Sequence, residues 1–203
     1  MSRAQPNRWV LASGNAGKLA EMRALLVHLD IELVSQREFD VPDADETGIG
    51  FVDNALIKAR HAAEHTGLPA IADDSGLAVA ALDGAPGVYS ARYAGRHGDD
   101  AANNRLLLDN LIDIPDANRQ AAFHCCLAAT LTATDPVPLI AHGQWHGSIL
   151  REPIGKAGFG YDPLFWLATE NASAASMPAE RKNAISHRAI AMRRLVEQMS
   201  ARG

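Results

Sequence analysis

The chain has only two cysteines in 203 residues, and they are adjacent, Cys125 and Cys126. Such a pair supplies neither a disulfide framework nor the spaced ligands of a metal knuckle. In an extended segment their side chains point to opposite faces. Long apolar runs are also missing. No stretch approaches the ~20 apolar residues of a membrane span, and MSRAQPNRWVLASG at the start has no apolar run ahead of a small-residue cleavage site. Excess positive charge is the third absence. Lys+Arg number 19 against Asp+Glu 24, a formal net charge of −5, so no broad basic face exists to neutralise nucleic-acid phosphates. The expectation is a soluble protein of a reducing cytoplasm, with no nucleic-acid and no membrane partner, that handles any anion in a local pocket.

What is present is an ordinary globular composition, 47% hydrophobic and 21% charged. The length fits one large domain over residues 1–203, with 103–145 as a lobe of it. Trp9–Ala12 is an apolar run ending in Ser13-Gly14-Asn15, a strand running into a turn. From Lys18 the apolar residues Leu19, Met22, Leu25, Leu26 and Leu29 recur at helical spacing. Ile31–Ser35 is the next strand, and a β-α-β opening favours a partly parallel sheet covered by helices. Asp43–Gly50 is an acidic loop. Phe51–His65 is a second helix, ended by Gly67 and Pro69. Ala70–Ala72 is a very short strand that stops at Asp73. Residues 83–98 are irregular, Asn103–Ile112 is helical, and Ala121–Ala133 with Val137–Trp145 form a hairpin around Asp135-Pro136. A Gly-rich loop over 154–161, a strand over Pro163–Leu167 and a helix over Ser186–Met199 complete the chain.

Ser13-Gly14-Asn15-Ala16-Gly17-Lys18 joins a strand to a helix. Its glycines let backbone N–H groups approach an anion, and the helix N-terminus and Lys18 add positive charge. It is not a Walker A loop, because Ala12 and Leu19 stand where that motif needs Gly and Ser/Thr. Asp73-Asp74-Ser75-Gly76 follows a short apolar strand, where carboxylates suit Mg²⁺ beside substrate phosphates; an ordinary Asp-rich turn is the plainer alternative. Asp45 and Glu46 add carboxylates, and Asn54 and Lys58 share a helix face distinct from the Ala/Phe packing face. Gly158-Phe159-Gly160-Tyr161-Asp162 offers aromatics able to stack on a heterocycle. Lys182 and Ser186-His187-Arg188 place basic residues around the start of the last helix, with Ser186 as its cap. His61-Ala62-Ala63-Glu64-His65 matches one zinc-peptidase pattern, but no third ligand announces itself, and His near a helix C-terminus has a bland explanation in the helix dipole.

Taken together and in order, these blocks, with Gly84-Ala85-Pro86-Gly87-Val88-Tyr89-Ser90-Ala91-Arg92-Tyr93, resemble the inosine triphosphate pyrophosphatase family from Val10 to about Leu195. The resemblance implies an α/β fold with an elongated mixed central sheet flanked by helices, in two lobes with the active site in the cleft between them. It implies Mg²⁺-dependent hydrolysis of ITP, dITP and XTP to the monophosphate and pyrophosphate by a cytoplasmic homodimer. On that reading Ser13, Gly14, Asn15, Ala16, Gly17 and Lys18 bind the triphosphate. Glu46 and Asp74 hold the metal, and Asp74 accepts the proton of the attacking water. Ser75, Phe159, Gly160, Tyr161, Asp162, Lys182, His187 and Arg188 contact the substrate. Gly50 stands where the family pattern carries Thr. Which of Asp45 and Glu46 reaches the metal, and how Asp73 and Asp74 divide their roles, stays open at this stage. So do a pyrimidine-directed pyrophosphatase of the related Maf-like group and a nucleotide-sensing module without hydrolysis.

Overall fold

The computed structural model describes residues 8–14, 16–26 and 31–202. Seven strands form one sheet in the order β2-β1-β3-β4-β5-β6-β7. These are β1 (Arg8–Leu11), β2 (Glu32–Ser35), β3 (Ala70–Val79), β4 (Gln120–Thr130), β5 (Leu139–Ile149), β6 (Phe165–Leu167) and β7 (Ala172–Ser173). β1 runs parallel to β2 and to β3, whereas β6 is antiparallel to β5 and β7, so the sheet is mixed. Among the described residues five helices flank it: α1 (Ala16–Leu26), α2 (Phe51–Thr66), α3 (Asp100–Asn110), α4 (Ala179–Ile185) and α5 (His187–Arg202).

The chain divides into two compact units, one of Met1–Asp74, Cys125–Gly143 and Arg188–Gly203, the other of Ser75–His124 and Gln144–His187. In the first unit, strand alternation sorts the core into two clusters. Leu11, Ile71, Cys125 and Leu127 pack with Met22 and Leu26 of α1 and Met192 and Leu195 of α5. Val10, Ala70, Ala72, Cys126 and Ala128 pack with Ala55, Ala59 and Ala62 of α2. Cys125 and Cys126 therefore serve opposite faces, as period-2 side-chain alternation requires. The α2 contact is built almost wholly of methyl groups, so close packing brings the helix's polar side chains within reach of the strand beneath. The second unit has its own core, in which Leu77, Leu107, Leu111, Phe123, Trp145, Tyr161 and Phe165 meet. There Arg119 is 2% exposed and donates to the carbonyls of Ile149, Leu111 and Leu150, which satisfies its buried guanidinium.

Three readings of the sequence change. β3 does not stop at Ala72 but runs ten residues, carrying Asp73, Asp74 and Ser75 within the strand. Residues 179–185, read from the sequence as no element, form α4. The third helix starts at Asp100, capped by the Asp99 carboxylate accepting from Ala102 N at 3.0 Å. Leu29 lies outside the described residues.

Candidate active site

Because β3 continues through the two acids, alternation sends their side chains to opposite faces. Asp74 joins the side of Ala70 and Ala72, under α2. Asp73 joins the side of Ile71, toward α1 and α5.

Under α2, one ammonium gathers two carboxylates. Lys58 Nζ lies 2.9 Å from Asp74 Oδ1 and 2.9 Å from Glu46 Oε1. Asn54 bridges the group: its Nδ2 donates to Asp74 Oδ2 at 3.4 Å, and its Oδ1 accepts from Gly48 N at 2.8 Å. Asn54 is 1% exposed, so the polar side chains of α2 do not form a face apart from the packing face. A Cβ on Gly48 would stand 2.5 Å from Asp53 Cβ and 2.6 Å from Asn54 Oδ1. Only glycine lets the acidic loop close onto the helix and deliver Glu46, whereas Asp45 is exposed. Burial pushes the Asp74 carboxyl above its ordinary value, and the Glu46 charge adds to this against the opposition of Lys58 and Asn54. Burial acts to lower Lys58, but the charges of Asp74, Asp73 and Glu46 outweigh it and hold the ammonium above its ordinary value.

On the other face Lys18 Nζ, from the first turns of α1, donates to both oxygens of Asp73 at 2.9 and 2.7 Å. Asp73 is 2% exposed. Burial acts to raise its pKa, yet Lys18, Arg188 and Lys58 outweigh this and hold the carboxyl well below its ordinary value. Ser13, Gly14, Ala16, Gly17 and Lys18 run from the end of β1 into α1; Asn15 lies outside the described residues. Ser13 O accepts from Ser35 Oγ at 3.1 Å, tying this turn to the end of β2, and the Arg37 guanidinium packs against Gly14. Ser186 closes α4 by donating its N–H to Lys182 O at 2.9 Å, immediately ahead of α5. His187 and Arg188 are each 7% exposed and so are not solvated basic residues.

The second unit carries the aromatic loop. Asp162, 3% exposed, accepts from Phe159 N at 2.9 Å and from Lys182 Nζ. Gly158 has φ +79°, and a Cβ there would collide with Asp162 Oδ2, so the turn requires glycine. Tyr161 is buried with its hydroxyl donating to Ser90 O at 2.9 Å. Phe159 is 57% exposed, with Lys182 Nζ 5.3 Å from its ring centroid. His187 stacks on Phe123 at 4.9 Å and 13°. Ser75 is half-buried on β3.

His61 and His65, whose spacing matches a zinc motif, are committed elsewhere: His61 Nε2 is 2.9 Å from Pro42 O, and His65 Nδ1 is 2.9 Å from His61 O. Among the described residues no group of three or more His, Cys, Asp or Glu is placed to hold a metal. The Glu46/Asp74 pair does fit a hard cation. Mg²⁺ takes one or two carboxylates and completes its shell with substrate phosphates and waters, and the Lys58 ammonium already marks a point of favourable positive charge between the two. Lys58 and Asn54, a polar pair on α2 in the sequence to which the resemblance assigned no role, stand at the centre of the group. Their signal was the i, i+4 spacing on α2.

An α/β protein with carboxylate–ammonium pairs on both faces of one central strand is the class that fold and site define. A family model described as the Ham1 family matches residues 9–198. The chain is 53% identical over 190 residues to a dITP/XTP pyrophosphatase of Shigella flexneri, covering 94% of this chain and 96% of that one. It is 54% identical over 186 residues to a dITP/XTP pyrophosphatase of Coxiella burnetii, covering 92% and 93%. A solved Ham1 protein structure from Coxiella burnetii superimposes with a TM-score of 0.91 at 52% identity, over 96% of this chain and 98% of that chain. The chain belongs to the Ham1 family.

Proposed function

We propose that this protein hydrolyses ITP, dITP and XTP between the α- and β-phosphates, releasing the nucleoside monophosphate and pyrophosphate and so clearing these nucleotides before they enter DNA or RNA. The observation that carries this reading is the convergence of Glu46 and Asp74 on one side of β3, with Lys18 held by Asp73 on the other. The relatives' names, dITP/XTP pyrophosphatase, give the substrate class.

Glu46 and Asp74 would hold Mg²⁺, which when bound lowers the pKa of coordinated water and neutralises phosphate charge. Asp74 takes the proton from the attacking water. Its raised pKa makes it a better base than an ordinary aspartate, which is a good ligand but a weak base. Lys58 holds Asp74 and Glu46 in place. Ser13, Gly14, Asn15, Ala16, Gly17 and Lys18 bind the triphosphate through backbone N–H groups and the helix N-terminus, and Lys18 and Arg188 offset charge as the anhydride breaks.

Phe159 stacks on the purine. Gly160, Tyr161, Asp162, Lys182, His187 and Ser75 complete the substrate contacts. A donor placed at the purine 6-position favours the carbonyl of hypoxanthine and xanthine over the amino group of adenine, because a donor facing a donor is far costlier than a missing apolar contact. Cytoplasmic location and homodimer assembly are part of the same proposal. The buried thiols of Cys125 and Cys126, which form no disulfide, suit a reducing compartment, and no described helix is long and apolar enough to cross a membrane.

The test is to incubate the protein with Mg²⁺ and ITP, XTP, ATP or GTP, assaying pyrophosphate and orthophosphate separately. Pyrophosphate from ITP and XTP with little from ATP or GTP is expected. Orthophosphate alone, or tight ITP binding with no product, would overturn α–β cleavage in favour of a phosphatase or a sensor.

A further inference from the structure

An exposed phenylalanine in a glycine-framed loop is not self-supporting: glycines loosen the backbone, and water drives the ring toward the nearest apolar surface. In this chain the loop is held from α3. Gly160 N donates to Asp100 Oδ2 at 2.7 Å, and Gly160 O accepts from Asn104 Nδ2 at 2.9 Å. Both backbone polar groups of the residue after Phe159 are thus taken by two side chains four residues apart on one helix, the spacing that places them on one face. Asn104 Nδ2 also donates to Asp100 O at 2.8 Å. Tyr161, the next residue, is anchored from below by its hydroxyl on Ser90 O, while Ser90 Oγ accepts from Leu77 N at 2.9 Å and donates to Gly87 O at 2.6 Å. On the other side Phe159 N is held by Asp162. With its backbone fixed at these points, the Phe159 ring stays 57% exposed under the Lys182 ammonium.

We propose that Asp100 and Asn104 are positioning residues for base recognition: by clamping Gly160 from α3 they hold the Phe159 ring and Lys182 ready for a purine. Asp100 and Asn104 belong to the second unit, whereas Glu46, Lys58 and Asp74 belong to the first, so binding of the base depends on the clamp and the hydrolytic step does not. The inference rests on the reading that Phe159 stacks on the base.

Steady-state pyrophosphate release from ITP by the full chain tests it. D100A and N104A each raise KM by about five- to twentyfold, the range expected for losing one or two ordering hydrogen bonds, with kcat within about twofold of wild type. D100N keeps an acceptor for Gly160 N and stays close to wild type, which a merely structural or charge effect would not produce. In a double-mutant cycle with F159A, D100A adds little once the ring is gone. Additive effects, equal losses in D100A and D100N, or unchanged kinetics in D100A and N104A overturn the clamp. Should F159A itself leave KM for ITP unchanged, the stacking reading fails first. An increase in F159A without one in D100A or N104A leaves that reading standing and sinks the clamp alone. A thermal midpoint within a few degrees of wild type separates a positioning loss from a folding defect.

Discussion

Asp73 and Asp74 are consecutive residues of one strand that lean to opposite faces, Asp73 onto Lys18 at 2.7 Å and Asp74 onto Lys58 at 2.9 Å. Their environments push the two carboxyls apart, Asp73 down under three cations and Asp74 up through burial and Glu46. On the function proposed above, two neighbouring acids driven in opposite directions would divide acid–base labour by position. The fixed anion, Asp73, orients Lys18. The carboxyl held nearer to proton exchange, Asp74, is suited to meet water.

Asp74→Asn follows directly. The change keeps size and removes the proton acceptor, so kcat for ITP falls by about 10²- to 10⁴-fold, the usual contribution of a general base. Folding placed this carboxylate where ionisation is disfavoured, and Lys58 keeps Glu46 as a partner. Thermal stability is therefore unchanged or slightly higher. Pyrophosphate release and a melting curve on the same preparation check both halves, and retained turnover would remove Asp74 from its role.

The sheet, the parallel opening and the segregation of the two cysteines were readable because they depend on periodicity, which a single sequence displays. The length of β3 was not. Aspartate is depleted in strands, and aspartate and serine favour turns, so Asp73-Asp74-Ser75 reads as a turn unless it is known that Lys18 and Lys58, 55 and 16 residues away, arrive to neutralise the acids. That Glu46 rather than Asp45 meets Lys58 was hidden for the same reason, since it depends on the approach of Gly48 to Asn54. The clamp proposed from α3 leaves no local signal, because Asp100 falls ahead of the helix that the sequence predicts from Asn103.

Gly48→Ala probes that approach. The new methyl collides with Asp53 Cβ and with both the backbone and side chain of Asn54, and backbone cannot yield as a flexible side-chain tip does. The loop must lift, carrying Glu46 away from Lys58. We expect kcat/KM for ITP to drop by about tenfold or more, in line with disturbing a shell that orients metal ligands, together with a higher Mg²⁺ concentration at half-maximal rate. An unaltered Mg²⁺ titration would separate Glu46 from the metal.

Gly50→Thr acts in the opposite direction. Gly50 sits ahead of α2 at φ −140° and ψ 167°, extended backbone that any residue adopts, and a Cβ there meets only Asp53 Oδ2 at 3.4 Å. Threonine restricts the unfolded chain, so stability rises by about 0.4–1 kcal/mol. Denaturant melts should show a higher midpoint at an unchanged slope; a lower midpoint would mean that the helix start needs glycine.

Asp135 gives the pH test away from the acidic site. It is 5% exposed and accepts from Leu131 N at 3.0 Å and Val137 N at 2.9 Å, bracing the turn between β4 and β5, with Arg202 at 3.7 Å. Burial acts to raise its pKa, but the two backbone donors and Arg202 outweigh this and leave it below the ordinary 3.8. A folded pKa below the unfolded one means that the fold favours the ionised form. The stabilisation is therefore complete above the unfolded value and disappears as pH falls through the folded value. Asp135→Ala strands two backbone N–H groups and costs about 1–3 kcal/mol at pH 7. The gap between wild type and variant stays constant down to about pH 5 and narrows once the pH drops below the ordinary carboxylate range. Urea melts at pH 7, 5 and 3.5 measure it. A gap that widens on acidification would mean that the protonated carboxyl is the form held by the turn.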